Sequence, residues 1–132
     1  MRTRYSYAQF ENDVNRITRK LRPLLGRFDA IYGIPRGGLV LAVHLSYRLG
    51  KPLVLEPSRI TRRTLVVDDI AGSGKTLRAL LTRHKCFRVA TLYRTAQTEV
   101  MPDFVCRRTK KDEWIVFPWE TNASSRYDDT TK

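Results

Sequence analysis

Two adjacent carboxylates, Asp68 and Asp69, stand between an apolar run and a turn of small residues. The turn comprises Ala71, Gly72, Ser73, Gly74, Lys75 and Thr76, and a second apolar segment follows it. Such a turn presents backbone N–H groups at the start of a helix, where the helix dipole favours an anion. Because two carboxylates would repel a bare phosphate, they suit sugar hydroxyls or a divalent cation better. The segment therefore predicts a site for a phosphorylated sugar.

Two other interpretations of this segment are weaker. A P-loop also ends in Gly-Lys-Thr, but it needs a glycine five residues before its second glycine, and that position here is Asp69. A carboxylate there would stand where backbone must wrap a phosphate, which excludes a nucleotide hydrolase of that type. In a plain strand–turn–helix one acid would cap the helix, but capping does not need two acids after a buried strand.

The run from Val66 to Thr76 resembles the motif that binds phosphoribosyl pyrophosphate (PRPP) in type I phosphoribosyltransferases. The resemblance implies that Asp68 and Asp69 contact the ribose hydroxyls, and that Asp69 also serves Mg²⁺. It further implies that the following turn holds the 5′-phosphate. The residues that it assigns to PRPP in this motif are Asp68, Asp69, Ile70, Ala71, Gly72, Ser73, Gly74, Lys75 and Thr76.

A second glycine-rich loop, Gly33-Ile34-Pro35-Arg36-Gly37-Gly38, precedes this motif. Gly37 and Gly38 would let backbone N–H groups approach an anion, and Arg36 can make a bidentate contact with phosphate. By itself the loop could also be a tight turn in which the glycines serve geometry alone. Together with the downstream motif it resembles the pyrophosphate loop of the same family. The resemblance assigns Arg36, Gly37 and Gly38 to the diphosphate and makes Arg36 catalytic with Asp68 and Asp69.

A third feature is the aromatic run 112–120, which could simply close the core. It also resembles the hood of the xanthine-guanine branch of the 6-oxopurine phosphoribosyltransferases, which ends in Trp-Ile-x-x-Pro-Trp. That resemblance implies that Trp114 stacks on the base and that Ile115 offers its main chain to the purine edge. The matches together extend from about Ile31 to Glu120.

Three positions depart from that branch. Gly72 stands where relatives that use purines have an acid that exchanges a proton with the base. A lysine that donates to the 6-oxo group falls here on Arg94 or Thr95, and Arg94 is the candidate for base binding. The loop that closes over the reaction is reduced to about 56–63, although Arg59, Arg62 or Arg63 in it could touch pyrophosphate. No side chain is a convincing general base, so the base would arrive deprotonated or use water.

The pattern of apolar residues alternates between strands and helices. Predicted helices cover 7–25, 39–49 and 77–83, the first ending or bending near Leu21 because Pro23 follows. Predicted strands cover 28–32, 52–55, 65–68, 87–93, 104–106 and 114–117. This order predicts an α/β fold of one domain over 1–120, a mainly parallel sheet flanked by helices with a hood at about 94–120. Residues 121–132 are expected to be a polar, flexible tail. Ligands in such sheets bind beyond the carboxyl ends of the strands, where both glycine-rich loops lie.

The chain has 132 residues and a formal net charge of +12. The charge suits a phosphate-rich substrate or a nucleic acid, but the basic residues are scattered, so a nucleic-acid partner is possible and not favoured. No apolar run is long enough to span a bilayer, and Cys86 and Cys106 suggest no disulfide framework, which favours a cytoplasmic protein without a membrane partner. A homodimer or homotetramer is expected, because relatives assemble in this way.

The resemblance therefore implies an enzyme that transfers the phosphoribosyl group of PRPP to a purine-like base with Mg²⁺ and releases pyrophosphate. Guanine, xanthine and hypoxanthine are the favoured bases. The alternative is a catalytically silent sensor of PRPP or nucleotide on the same fold that binds nucleic acid.

Overall fold

The computed structural model describes residues 1–121, and its helices and strands alternate over most of that length. The three α-helices are α1 (Tyr7–Leu21), α2 (Gly37–Leu49) and α3 (Lys75–Arg83). Short 3-10 helices occupy Arg22–Arg27 and Pro57–Arg59. The seven strands are β1 (Arg2–Arg4), β2 (Ala30–Gly33), β3 (Leu53–Val54), β4 (Thr64–Ala71), β5 (Arg88–Arg94), β6 (Phe104–Arg108) and β7 (Trp114–Val116).

Five strands form one sheet in the order β3-β2-β4-β5-β6, and every neighbouring pair is parallel. The predicted mainly parallel α/β fold is confirmed. The chain builds outward from β2 to β3 on one side and from β4 to β6 on the other, so the strand order reverses between β2 and β4. Ligands in open parallel sheets bind in the crevice at such a reversal, beyond the carboxyl ends of the strands. Both glycine-rich loops follow these two strands.

Helices cover both faces of the sheet. The larger core cluster joins α1 and α2 to one face through residues such as Phe10, Val14 and Leu41, all at most 2% exposed. The smaller cluster includes Leu77 of α3 together with Val66 and Val89 from β4 and β5. Burial of these apolar side chains is the main force that holds the layers together.

Local signals in the sequence explain where two of the helices begin and end. Ser6 caps α1 and forms a reciprocal capping box with Gln9. The helix ends at Leu21, as Pro23 predicts, and residues 22–27 continue as a 3-10 helix rather than an α-helix. At the end of α2, Gly50 adopts a φ of 67°, the left-handed conformation that favours glycine at this position.

The hood is anchored by a strand that the sequence analysis did not predict. Strand β1 pairs in parallel with β7, so that Thr3 stands opposite Ile115. The N-terminal amino group of Met1 donates to the carbonyl oxygen of Asp112 at 3.0 Å, and the Trp114 N–H donates to the carbonyl oxygen of Met1 at 2.7 Å. Strand β7 therefore belongs to a separate two-stranded sheet and not to the main one.

A buried polar network connects this N-terminal segment to the edge of the main sheet. Asp13 on α1 is 0% exposed, and its carboxylate accepts from the Tyr5 hydroxyl at 2.6 Å and from Nε of Arg107 on β6 at 2.7 Å. Burial and the neighbouring carboxylate of Asp13 raise the pKa of Tyr5, which keeps its hydroxyl protonated as a donor. The network fixes α1, the β1–α1 connection and β6 relative to one another.

Strand β4 is longer than predicted: it continues beyond the predicted end at Asp68 as far as Ala71. The adjacent carboxylates thus lie within the strand and not after it, and the turn proper is 72–74. No helix within residues 1–121 is long and apolar enough to cross a membrane. The flexible tail predicted for 121–132 falls, from residue 122 onward, outside the described residues.

Candidate active site

A cavity of about 300 Å³ opens at the carboxyl ends of β4 and β5, beneath the hood. Its walls come from the end of β4, the turn at 72–74, the first turn of α3, Thr95 and hood residues between Glu113 and Glu120. The structure therefore brings two of the three motifs, the strand–turn–helix and the hood, together around one cavity. It lies where the reversal of strand order predicts a ligand site.

The paired carboxylates are part of this cavity wall and are almost fully buried. Asp68 is 3% exposed and Asp69 2% exposed. Asp68 Oδ1 accepts from the Asp69 N–H at 2.8 Å, and Asp69 Oδ1 accepts from the Ile70 N–H at 2.7 Å. These bonds hold both carboxylates in defined positions at the base of the cavity.

The turn that follows β4 requires glycine at Gly74 but not at Gly72. Gly74 has a φ of 83°, and a Cβ there would lie 2.5 Å from Oγ1 of Thr98. The Glu99 N–H donates to the Ser73 carbonyl oxygen at 2.8 Å, so the segment after β5 braces the turn. A Cβ at Gly72 would meet nothing within 4 Å. The turn is a rigid lead into α3, whose N-terminal N–H groups can receive an anion.

The loop after β2 leads into α2 beside Val67 and Asp68 of β4. A Cβ at Gly38 would lie 2.6 Å from the carbonyl oxygen of Val67 and 3.0 Å from the Cα of Asp68, so glycine lets α2 lie directly against β4. Gly37 is buried at the start of α2, whereas Arg36 is exposed and follows a cis peptide bond to Pro35. Gly38 thus lies against Asp68, which lines the cavity, but Arg36, Gly37 and Gly38 are not themselves among the lining residues.

Trp114 lines the cavity and is 63% exposed, whereas Phe117 stacks on Trp119 at 5.3 Å and joins the core. The hood thus provides both a surface aromatic ring and a core contact. On the side of β1, the Trp114 N–H donates to the Met1 carbonyl oxygen, and the Val116 carbonyl oxygen accepts from the Tyr5 N–H. Since backbone groups alternate in direction along a strand, the N–H and C=O of Ile115 face the opposite edge, which pairs with no strand within residues 1–121.

The sequence left Arg94 and Thr95 as alternatives for base binding, and the structure distinguishes them. Thr95 lines the cavity, and its hydroxyl donates to the Gly72 carbonyl oxygen at 2.5 Å. Arg94 is the last residue of β5 and does not line the cavity. Its guanidinium NH1 lies 3.4 Å from the Thr95 carbonyl oxygen.

Two further carboxylates, Glu113 and Glu120, line the cavity and were not among the predicted site residues. Glu113 accepts from the Thr3 hydroxyl at 2.5 Å and from the Lys110 N–H at 2.8 Å. These two hydrogen bonds lower the pKa of Glu113, the bond from Thr3 having the larger effect. Glu120 accepts from the Phe117 N–H at 2.8 Å. In the sequence, only the positions of Glu113 and Glu120 at the two ends of the aromatic run could have indicated that they belong to the site.

Arg63, in the short loop predicted to reach pyrophosphate, lies elsewhere. Its guanidinium donates to both carboxylate oxygens of Asp29, at 2.8 and 2.9 Å, and to the carbonyl oxygen of Gly26. Both partners precede β2, so Arg63 stands at the amino end of the sheet, opposite to the cavity. The prediction that it touches a ligand there is wrong.

The carboxylate oxygens of Asp68 and Asp69 are hard donors of the kind that Mg²⁺ prefers. Within residues 1–121, no group of three or more His, Cys, Asp or Glu side chains is arranged to hold a metal ion. A divalent cation would therefore be held jointly by these carboxylates and the oxygens of a bound ligand, which is the usual arrangement for Mg²⁺ at phosphate sites.

Comparison with known proteins agrees with this geometry. The family model described as phosphoribosyl transferase domain matches residues 54–126. A xanthine-guanine phosphoribosyltransferase of Cereibacter sphaeroides is 30% identical over 118 residues, which cover 72% of this chain and 71% of the relative.

Two solved structures share the fold. A purine phosphoribosyltransferase from Pyrococcus horikoshii superposes with a TM-score of 0.78 at 28% identity, over 91% of this chain and 95% of the other. The xanthine-guanine-hypoxanthine phosphoribosyltransferase of Helicobacter pylori gives 0.74 at 22% identity, over 97% and 99%. The second likeness concerns the fold alone.

Proposed function

Because the chain belongs to the phosphoribosyl transferase family, we propose that it transfers the phosphoribosyl group of PRPP to a purine base and releases pyrophosphate. The observation that carries the proposal is a single cavity that joins Asp68 and Asp69, the turn before α3 and the ring of Trp114. A sugar phosphate and a flat base could be held there in contact with each other.

The strand–turn–helix would bind the sugar half of PRPP. Asp68 and Asp69 line the cavity and would accept hydrogen bonds from the ribose hydroxyls, and the N–H groups from Gly72 to Thr76 would hold the 5′-phosphate. Fixing the phosphate and the hydroxyls keeps the anomeric carbon in place for attack, which lowers the entropic part of the barrier. Carboxylates beneath the ring also favour the positive charge that develops when the bond to pyrophosphate breaks.

The loop after β2 would hold the diphosphate. Arg36 is exposed at the start of α2 and can make a bidentate contact with phosphate oxygens, and the N–H groups of Gly37 and Gly38 start a helix that favours an anion. Mg²⁺, held by Asp69 together with the substrate, would neutralise charge on the departing diphosphate. Arg36 would stabilise the same charge from the protein side.

The hood would bind the base. Trp114 offers an exposed ring for stacking, and Ile115 offers a main-chain N–H and C=O at the open edge of β7. We expect guanine, xanthine and hypoxanthine to be the bases that this site accepts. Thr95 takes the place at the cavity wall that the resemblance suggested for Arg94. With glycine at position 72, the proton of the base would pass to water.

The test is pyrophosphate release from PRPP and Mg²⁺ with guanine, xanthine, hypoxanthine and adenine. Turnover with at least one base supports the proposal. Asp69→Asn should abolish turnover because it removes a charge at the ribose and metal site while keeping the side-chain shape. Asp112→Asn, which removes an exposed carboxylate outside the cavity, is the matched control and should retain full turnover.

A second candidate function is a silent PRPP sensor that binds nucleic acid, and two observations favour it: the net charge of +12 and the absent acid at Gly72. No turnover with any base, together with tight, salt-dependent binding of RNA or DNA, would favour that function over the transferase. The cytoplasmic location and the homodimer or homotetramer stay predictions, which cell fractionation and light scattering test.

A further inference from the structure

The segment after β5 holds the glycine turn before α3 by its carbonyl groups. The Thr95 N–H donates to the Ala71 carbonyl oxygen at 3.0 Å, and the Thr95 hydroxyl donates to the Gly72 carbonyl oxygen at 2.5 Å. The Glu99 N–H donates to the Ser73 carbonyl oxygen at 2.8 Å. Three successive carbonyls, from the last residue of β4 into the turn, are thus bound by one short segment.

This segment, residues 95–99, is called the brace below, and it determines which way the turn presents its N–H groups. In a trans peptide the N–H points opposite to the C=O of the preceding residue. Because the carbonyls of residues 71–73 point to the brace, the N–H groups of residues 72–74 point away from it. These donors lie at the start of α3, where the helix dipole favours an anion. The brace therefore orients donors that would hold a 5′-phosphate.

The brace fits closely against the turn and is tied to the helix that follows. A Cβ at Gly74 would lie 2.5 Å from Oγ1 of Thr98 and 2.6 Å from the backbone nitrogen of Glu99. The carboxylate of Glu99 also pairs with the guanidinium of Arg78, near the start of α3, at 2.9 Å. The brace thus restrains the turn from both ends, at the carbonyls and at the helix.

We propose that Thr95 is a positioning residue for the 5′-phosphate of PRPP, which it serves by holding the Gly72 carbonyl, and that it is not a donor to the base. The inference rests on the proposed transferase function and assigns a role within it. It departs from the resemblance, which placed a base-binding lysine at position 94 or 95. A threonine hydroxyl has a single hydrogen, and the hydrogen of Thr95 is given to Gly72, so none is left for a 6-oxo group.

A turn that is held before the substrate arrives has less freedom to lose on binding, which favours affinity for the phosphate. The brace leaves the stacking ring of Trp114 untouched, because that ring belongs to the hood. The inference therefore requires that loss of the Thr95 hydroxyl weakens binding of the sugar phosphate and leaves binding of the base unchanged.

The test is Thr95→Val, which keeps the shape of the side chain and removes the hydroxyl. The KM for PRPP and the Kd for ribose 5-phosphate should both rise about 3- to 10-fold, the scale of one hydrogen bond. The KM for guanine and kcat should each change less than about twofold. Thr95→Ser restores the hydroxyl and should return both raised constants close to the wild-type values. Initial rates and titration calorimetry measure these quantities.

Two matched controls remove a threonine hydroxyl that donates to another carbonyl. Thr82 lies on the exposed face of α3 and donates to the Arg78 carbonyl oxygen at 2.7 Å, so Thr82→Val should leave both constants unchanged. Thr91 is buried in β5 and donates to the Tyr93 carbonyl oxygen at 2.9 Å. Thr91→Val should lower the stability of the protein without changing the Kd for ribose 5-phosphate. An equal rise of that Kd in Thr91→Val would show that general destabilisation explains the effect and would overturn the inference.

The remaining outcomes separate the inference from the transferase function. An unchanged Kd for ribose 5-phosphate in Thr95→Val, no binding of this probe to the wild type, or a rise confined to the KM for guanine overturns the inference while the transferase function stands. Absence of turnover with every base contradicts the transferase function, and calorimetry with ribose 5-phosphate still tests the brace.

Discussion

At the scale of single residues, Gly72 and Gly74 stand two positions apart but have different reasons to be glycine. Gly74 has a positive φ and is pressed against the segment at Thr98 and Glu99, so the fold demands glycine there. Gly72 has open space where a Cβ would be, and no positive φ is observed at this position. Its lack of a side chain is therefore a chemical property of the site and not a requirement of the backbone.

The first prediction follows from that open space. Gly72→Asp should raise kcat by roughly 10- to 100-fold, because a carboxylate at this position can accept the proton of the base. Steady-state pyrophosphate release measures the effect. Gly72→Asn has the same shape without the basic oxygen and should stay near the wild-type rate. Equal rates for the two variants would show that proton transfer does not limit turnover.

At the scale of elements, the hood depends on contacts between distant parts of the chain. Strand β1 supports β7 on one side, and Asp13 connects α1 to Tyr5 and Arg107. These contacts determine where Trp114 and Glu113 stand relative to the turn before α3. Base binding and the stability of the N-terminal segment should therefore be coupled.

The second prediction concerns the centre of this network. Asp13→Asn should lower the free energy of unfolding by about 2 kcal/mol, since it removes the charged acceptor of the hydrogen bonds from Tyr5 and Arg107 while Arg107 can still reach water. Urea denaturation measures the loss. Asp29→Asn breaks the exposed ion pair with Arg63 and serves as the control, with little change expected. Similar losses in both variants would contradict the importance of the buried network.

The third prediction is a loss of stability in alkali. Burial, and then the charge of Asp13, raise the pKa of Cys106 to about 11 in the folded protein, above its ordinary value of 9.0. The unfolded chain therefore releases this proton first, so stability is full below pH 9 and falls as the pH rises towards 11.

Unfolding free energies at pH 8, 9, 10 and 11 should show that Cys106→Ala loses less than the wild type, by up to about 2 kcal/mol. Other groups with raised pKa values that do not involve Cys106, such as Tyr93, are present in both proteins and cancel in the comparison. Parallel pH curves for the two proteins would refute the role of Cys106.

At the scale of the whole molecule, the chain carries a net charge of +12, although no lysine or arginine within residues 1–121 lines the cavity at the ends of β4 and β5. The exterior field attracts a polyanionic substrate over a distance, whereas the cavity walls act only on what has entered. Attraction of a polyanionic substrate accounts for the net charge of +12 without a nucleic-acid partner. Attraction of PRPP by the net charge would act at long range, whereas recognition of the base would depend on contacts inside the cavity.

The fourth prediction tests the long-range attraction of PRPP. Raising the salt concentration from about 50 to 300 mM should lower kcat/KM for PRPP several-fold, because salt screens long-range attraction. The KM for guanine, a neutral molecule, should change little over the same range. Initial rates with each substrate varied in turn measure both constants. Equal salt dependence for the two substrates would contradict long-range capture of PRPP.

Much of the fold was predictable because its signals are local. The apolar run, the paired acids and the small-residue turn around Asp68 and Gly74 specify a strand, a turn and a helix within one short segment. Strand β1 was not predictable, since Arg2–Arg4 has no apolar pattern and is a strand only because β7 lies beside it. The buried position of Asp13 likewise depends on Arg107, 94 residues further along the chain.

The sequence by itself predicted the groups for the ribose and the 5′-phosphate, because Asp68, Asp69 and the turn that follows them are consecutive in the chain and their geometry follows from backbone conformation. Only the tertiary structure decided which side chains line the cavity beside the hood. It brought Thr95 and not Arg94 to the cavity wall, and it added Glu113 and Glu120 to the lining. The physical reason is that the hood is positioned by packing and pairing between segments about a hundred residues apart, which local patterns do not encode.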